Sequence, residues 1–318
     1  MSESNVDYSY DCLIIVTPKD YLRLHRNYQR LIDYLPAKNI AFVGDSDLKK
    51  LIAADGLNAH YIDENSIIPF NEVYLYLTKL LSNLLNGEKL PRGICGWYYQ
   101  QFLKMAYSRI CEDSYYMVWD GDTIPCKTFT MFDKEGRAYL DLKNEHHETY
   151  FKTLSRILPG TGKIVEKSFI SEHMLFNCNY MKEILDKIES NKALPGVSFW
   201  QKILNAIDTN DLQYNSFSEF ETYGSYVYSH YPESHSLRTW NSFRYGGDYF
   251  NSEKINDTDY DWLSRDFYAI SFEKGSYIRE DHANLFDNPY YQEKLSARQM
   301  LELAQMDFEG DSYIESWD

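Results

Sequence analysis

The stretch Tyr115-Tyr116-Met117-Val118-Trp119-Asp120-Gly121-Asp122-Thr123 decides how this chain is read. Five apolar or aromatic residues in a row, without polar alternation, describe a strand buried on both faces, as in the interior of a parallel sheet. An acidic turn follows it directly. Upstream, the same pairing of short apolar run and turn recurs. Residues 12–16 (CLIIV) end at Thr17-Pro18, residues 40–43 (IAFV) end at Gly44-Asp45, and residues 60–62 make a third run. Between them lie segments with helical spacing: 20–34 with Leu22, Leu24, Tyr28, Leu31 and Ile32, then 46–54 with Ser46 as N-cap, then 71–85. Such alternation predicts an α/β fold with a mostly parallel central sheet flanked by helices. Ligands of these sheets bind outside the carboxyl ends of strands, where Asp120-Gly121-Asp122 stands.

Residues 97–110 read as a helix with one apolar face, Tyr99, Phe102, Leu103, Ala106 and Ile110. Trp97, Gln101 and Lys104 form a second stripe, which is either a solvated face anchored by Trp97 or a polar face turned toward a ligand. Beyond the acidic turn the pattern is mixed. A hairpin is expected over 128–132 and 137–140, a helix over 146–158 and a strand over 163–169. Ser171-Glu172-His173 precedes a short apolar stretch, 174–176, and a helix begins at Asn179. Residues 218–228 read as a helix capped by Ser218 with Glu219 and Glu221 in its first turn. Residues 237–245 read as extended, and 290–304 as a helix before an acidic tail. No internal repeat or low-complexity linker divides the chain.

Composition narrows the function classes. The formal net charge of −16, with no basic run, argues against a nucleic-acid partner and against anionic lipid surfaces. The five cysteines are odd in number and widely spaced, without a CxxC, which points to a reducing, cytoplasmic setting rather than a disulfide scaffold or zinc ribbon. No apolar run reaches membrane-spanning length. Twenty-nine tyrosines suit either sugar-stacking surfaces or ordinary core packing.

Two aspartates separated by one glycine make a compact oxygen-donor site for a hard divalent cation, Mn²⁺ or Mg²⁺, and the glycine leaves room for a large ligand. A diphosphate leaving group needs that neutralisation, above all in an acidic chain. The rival reading is a haloacid-dehalogenase-like phosphatase, whose DxDxT motif Asp120-Gly121-Asp122-Thr123 approximates, with Asp120 as nucleophile and Asp122 as general acid. Its mid-chain position, and the lack of a later acidic pair after an apolar strand, count against it.

The strand with its DGD-Thr-Ile-Pro continuation (120–125), the preceding GWYYQQFLK (96–104), SEHMLFNCNY (171–180) and FSEFETYGSY (217–226) together resemble glycosyltransferases of the GT-A type, in particular an uncharacterised bacterial group from polysaccharide gene clusters. The resemblance covers roughly residues 10–245. It implies a GT-A-like, Rossmann-like catalytic domain over 1–250, with donor and acceptor halves meeting near 125, and a mixed or helical C-terminal extension over 251–318. It implies transfer of a sugar from a nucleoside-diphosphate sugar to a hydroxyl of a glycan or lipid-linked glycan in surface-polysaccharide synthesis, with peripheral membrane association left open. Asp122 would bind the metal, and Asp120 the metal or the ribose. Thr17 and Lys19 would lie by the nucleobase, while Trp97, Gln101, Lys104 and His173 face the donor. Glu219 or Glu221 would be the general base of an inverting enzyme, and Glu172 would flank the reacting sugar of a retaining one. The late histidine that many such enzymes supply to the metal would be His235, with His230 and His282 as alternatives.

Overall fold

The computed structural model describes residues 9–278 and 285–306, without the side chains of Gln305 and Met306. The strands are β1 (Asp11–Ile15), β2 (Asn39–Gly44), β3 (His60–Asp63), β4 (Tyr115–Trp119), β5 (Thr123–Pro125), β6 (Ala138–Leu142), β7 (His173–Asn177), β8 (His235–Thr239), β9 (Ser242–Phe243) and β10 (Ala269–Ser271). The central sheet has the order β3-β2-β1-β4-β7. Its first four strands are parallel and β7 closes the edge antiparallel to β4. This is the α/β class that the alternation predicts.

The apolar runs are buried on both faces because successive side chains point to opposite sides of a strand. Leu13, Val43, Val118 and Met174 enter one core with the helices Phe70–Leu80, Arg92–Ala106, Cys178–Ser190, Phe199–Ala206 and Glu219–His230. Cys12, Ile14, Phe42, Met117 and Leu175 enter the other, with the helices Pro18–Leu24, Ser46–Asp55, Asp257–Leu263 and Ala297–Met306. The segment after residue 250 thus shares a core with β1 and β2. It also supplies β10, which pairs antiparallel with β5 and parallel with β9.

Several local expectations change. The helix expected over 20–34 breaks into Pro18–Leu24, a 3₁₀ turn at His25–Asn27, and Gln29–Tyr34. At the break Asn27 accepts from the Tyr260 hydroxyl and donates to the Ser252 carbonyl, while Tyr28 reaches the Gly121 carbonyl. Tertiary hydrogen bonds outweigh helix continuity there. Asp45, not Ser46, caps the helix Ser46–Asp55. Residues 163–169 form no strand; only a bridge joins Ser168 to Lys143. The hairpin shrinks to a Phe132–Ala138 bridge, because β6 pairs parallel with β8. The last helix divides into Pro289–Lys294 and Ala297–Met306, where the Leu295 carbonyl accepts from the Trp262 indole. Many large aromatics, among them Trp119, Trp240, Trp262, Tyr116 and Tyr223, are core residues, whereas Tyr214, Tyr277 and Tyr290 are exposed.

Candidate active site

β4 delivers Asp120 and Asp122 to its carboxyl end. Three contacts fix the turn. The Tyr28 hydroxyl donates to the Gly121 carbonyl at 2.8 Å, the Asp120 N–H donates to the Glu172 carbonyl at 2.8 Å, and the Phe272 N–H donates to the Asp122 carbonyl at 2.8 Å. Gly121 serves packing, not ligand access: a Cβ there would lie 2.1 Å from Val16 Cγ1. Asp122 accepts a 3.3 Å bond from the Thr123 hydroxyl. Burial, then the charges of Asp120 and Glu273, push its carboxyl up to about 7, against a weaker pull from Arg23. Arg23 itself donates to the Phe272 carbonyl at 2.6 Å.

Lys104, from the last turn of Arg92–Ala106, and Glu219, from the first turn of Glu219–His230, meet behind Asp120. The lysine ammonium lies 2.8 Å from Asp120 Oδ1 and 2.8 Å from Glu219 Oε1, over the Phe220 ring at 4.5 Å. Each charge sits at the helix end whose dipole favours it. Burial alone would lower the Lys104 pKa, but the two carboxylates outweigh it and hold the amine charged. Glu219 is only 1 % exposed, and burial raises its pKa in spite of Lys104. A carboxylate so enclosed cannot reach an acceptor hydroxyl, so the expected general base is instead the counter-ion of Lys104. Of the expected polar stripe, Lys104 turns toward Asp120 and is buried, 4 % exposed.

Beside this lies the start of β7. Glu172 adopts a left-handed backbone, φ 58°, and its carboxylate is gripped by Lys143 at 2.6 Å and by the Ser242 hydroxyl. Burial raises its pKa, yet Lys143 overcomes that and leaves it below the ordinary range. His173 is fully buried. Its Nε2 lies 2.9 Å from Asp141, its Nδ1 2.7 Å from the Ser171 carbonyl, and its ring packs on Trp119 and Trp240. Arg238 closes the set with two bonds to Asp141. The expected donor contact of His173 is therefore a core interaction.

Other expected residues are distributed as follows. Glu221 accepts from the Ser168 hydroxyl and the Phe169 N–H inside the core, and cannot act as a base on a substrate. His235 opens β8, with Nδ1 against Ser234 and Nε2 against Tyr223; burial lowers its pKa to about 4. Both ring nitrogens have protein partners, so it is no metal ligand here. His230 Nδ1 faces the Tyr226 carbonyl, and His282 lies outside the described residues. Thr17 caps the helix Pro18–Leu24, and Thr17 and Lys19 stand exposed just beyond β1, where a ligand could meet them. Gln101 is buried, and Trp97 is half-buried against Tyr98 and Tyr150.

Sequence reading missed Tyr28, Lys143, Arg244 and Glu273. Arg244 joins Glu145 at 2.7 Å to Glu273 at 2.6 Å. Only the strand character of 269–271 could have signalled Glu273, and three residues make too short a pattern.

For a divalent cation, the donor set fits in chemistry: two carboxylates with the charge of Glu273 bearing on Asp122. Among the described residues no three His, Cys, Asp or Glu side chains stand grouped to enclose one. The arrangement suits a cation completed by phosphate oxygens and water, as Mg²⁺ commonly is, not an all-protein cage.

A family model matches residues 43–302, most of the chain. The chain belongs to that family, a family of unknown function, DUF6492. No curated protein matches it. Among solved structures it is similar to mouse xyloside xylosyltransferase 1 in its apo form, at 12 % identity and TM-score 0.44 over 85 % of this chain and 100 % of that one. It is also similar to the galactosyltransferase LgtC in complex with donor and acceptor sugar analogues, at 14 % identity and TM-score 0.39 over 90 % and 100 %. The apo bifunctional glycosyltransferase WbbM matches at 11 % identity and TM-score 0.42, over 96 % of this chain and 52 % of that one. At these scores the likeness assigns no activity to this chain. No helix among the described residues is long and apolar enough to cross a membrane.

Proposed function

We propose that this chain is a glycosyltransferase that takes a nucleoside-diphosphate sugar and passes the sugar to a hydroxyl of a glycan or lipid-linked glycan, with Mn²⁺ or Mg²⁺ at Asp120 and Asp122. The observation that supports it most is the charge balance at the carboxyl end of β4. Lys104 is shared by two carboxylates, Arg244 by two, and Asp122 is left with a carboxyl pushed up to about 7. Surplus negative charge at the ligand-binding end of a parallel strand calls for a cation and a ligand that brings one.

A divalent cation bound there supplies neutralisation of the departing diphosphate. Tyr28 and Phe272 hold the backbone of the turn so that both aspartates keep their orientation. Thr17 and Lys19, exposed beyond β1, take the nucleotide side. Glu172, kept ionised by Lys143 and joined through its carbonyl to the Asp120 N–H, would border the reacting sugar as part of the wall of the site. The finer setting, cytoplasmic synthesis of a surface polysaccharide, rests on the resemblance of residues 96–104 and 217–226. The phosphatase reading has less support: the neighbours of β4 are β1, which ends at Ile15 and is followed by Val16-Thr17, and β7, which runs antiparallel. Neither brings an acidic pair at its carboxyl end.

The test is a thermal-shift and hydrolysis panel of nucleoside diphosphates and their sugars, with Mn²⁺ and with EDTA. Stabilisation by nucleoside diphosphate is expected only with the cation, and equal stabilisation in EDTA would sink the reading. Robust, Asp120-dependent turnover of an aryl phosphate would favour the phosphatase.

A further inference from the structure

Lys104 occupies a place that neither solvent nor a large ligand reaches, yet it touches one of the two carboxylates that face the ligand. Its side chain is 4 % exposed, that of Glu219 1 %, and that of Asp120 35 %. The three groups form a line from the core to the site: Glu219, Lys104, Asp120. The line is rigid at its inner end. The Tyr116 hydroxyl on β4 donates to the Lys104 carbonyl at 2.8 Å, Phe220 lies under the ammonium, and Ser218 caps the Glu219 helix by accepting from the Glu221 N–H. At the outer end the ammonium engages Asp120 through Oδ1 alone.

We propose that Lys104 is an internal counter-cation that competes with an incoming metal ion for Asp120, and that Glu219 is a positioning residue that moderates this competition by sharing the ammonium. This rests on the proposed cation site at Asp120 and Asp122 and adds its regulation by the core. The charges give it direction. With both carboxylates in place, Lys104 divides its hydrogen bonds and Asp120 keeps enough negative charge to bind a second cation. Without Glu219, the buried ammonium has Asp120 as its remaining carboxylate partner, because leaving a buried charge unpaired is costly. Asp120 is then drawn inward and neutralised. Without both Lys104 and Glu219, the net charge of the region is unchanged, but Asp120 is free to turn both oxygens to the site.

The two changes therefore move metal affinity in opposite directions, which a loosened fold cannot do. The experiment is calorimetric titration with Mn²⁺ alone, on the full chain, with folding checked by circular dichroism. Glu219→Gln is expected to weaken binding several-fold. The double variant Lys104→Met with Glu219→Leu is expected to bind Mn²⁺ about tenfold tighter or more, the scale of one charge-assisted hydrogen bond. If the apolar pair fails to fold, Lys104→Gln with Glu219→Gln replaces it under the same expectation. Shifts of the same sign in the single and double variants, or no difference of the double variant from wild type, overturn the proposal. The reading of function fails separately, when nucleoside diphosphate with Mn²⁺ does not stabilise the wild type. A wild type blind to Mn²⁺ beside a double variant that binds it would support the competition while removing the metal from the resting enzyme's chemistry.

Discussion

Two ionic clusters flank the same pair of strands, and they are built on opposite principles. At the start of β7, Asp141 is matched: Arg238 gives it two hydrogen bonds, His173 a third, and aromatic rings seal the set. Burial pushes the Asp141 carboxyl up, but Arg238 and His173 outweigh it and bring the pKa below the usual range. At the end of β4, carboxylates crowd one another, and Asp122 is pushed the other way. A cluster whose charges close on themselves has nothing left to offer a ligand. A cluster with surplus charge stores the repulsion that a bound cation relieves. By this criterion the β4 end is the better candidate for the proposed site, and the Asp141 cluster is a closed structural set beside it.

The largest effect expected from this contrast is on stability. Asp141→Asn removes the charge that satisfies a largely buried guanidinium and an enclosed imidazole, and breaking such a pair typically costs about 3–5 kcal/mol. Urea unfolding at neutral pH measures it. A loss under about 1 kcal/mol would place the Asp141 set among weak surface pairs and erase the distinction.

How much of this was legible in sequence follows the same line. The runs 12–16, 40–43 and 115–119 declared themselves because inner parallel strands are apolar on both faces, and they located Asp120 and Asp122 correctly at a strand end. The alternation of elements also carried the fold class. Long-range pairing did not show. Nothing around Glu219 reveals that Lys104 lies against it, so a first-turn carboxylate looked like a base. His235 looked available because sequence carries no sign that Tyr223 and Ser234 enclose it. β10 is three residues long, below any readable period, and with it Glu273 and the clamp of Phe272 on Asp122 stayed hidden. Gly121 was noticed for the wrong reason: the space it leaves is filled by Val16, not by a ligand.

That packing gives the middle-sized prediction. Gly121→Ala puts a methyl 2.1 Å from Val16 Cγ1 and 3.3 Å from Ile14 Cγ2. Side chains on an inner strand have little room to yield, and overpacking of this kind costs about 1–3 kcal/mol. The turn should shift with it, so nucleotide binding in the presence of Mn²⁺ should fall together with stability. The double change Gly121→Ala with Val16→Ala should restore part of both, because it removes the atom that the methyl meets. If Gly121→Ala is tolerated without loss of either property, the turn is looser than its contacts indicate, and the β4 end is less preorganised than the Asp141 cluster by more than charge alone.

The smallest effect has the most telling sign. Asp122→Asn removes a carboxylate from the crowded cluster. The folded pKa of Asp122, about 7, lies above the roughly 3.9 of an unfolded aspartate. Its contribution to stability is therefore fully present below about pH 4, where both states are protonated relative to their charged forms, and is lost as pH rises through about 7. At pH 8 the ionised Asp122 works against the fold. The asparagine variant escapes that penalty and should be more stable than wild type at pH 8, by about 1 kcal/mol once partial exposure is allowed for, with the gain shrinking as pH falls toward 4. Chemical unfolding of both proteins at several pH values reads the crossover. The same variant should lose cation-dependent nucleotide binding, since it gives up an oxygen ligand. Gain of stability with loss of binding is the signature of a residue kept for a ligand at the expense of the fold, and it is the reverse of Asp141→Asn, where stability falls outright. Were Asp122→Asn to destabilise the protein at pH 8, the carboxylate would be satisfied within the fold, and the β4 end would be a second closed cluster instead of an open one.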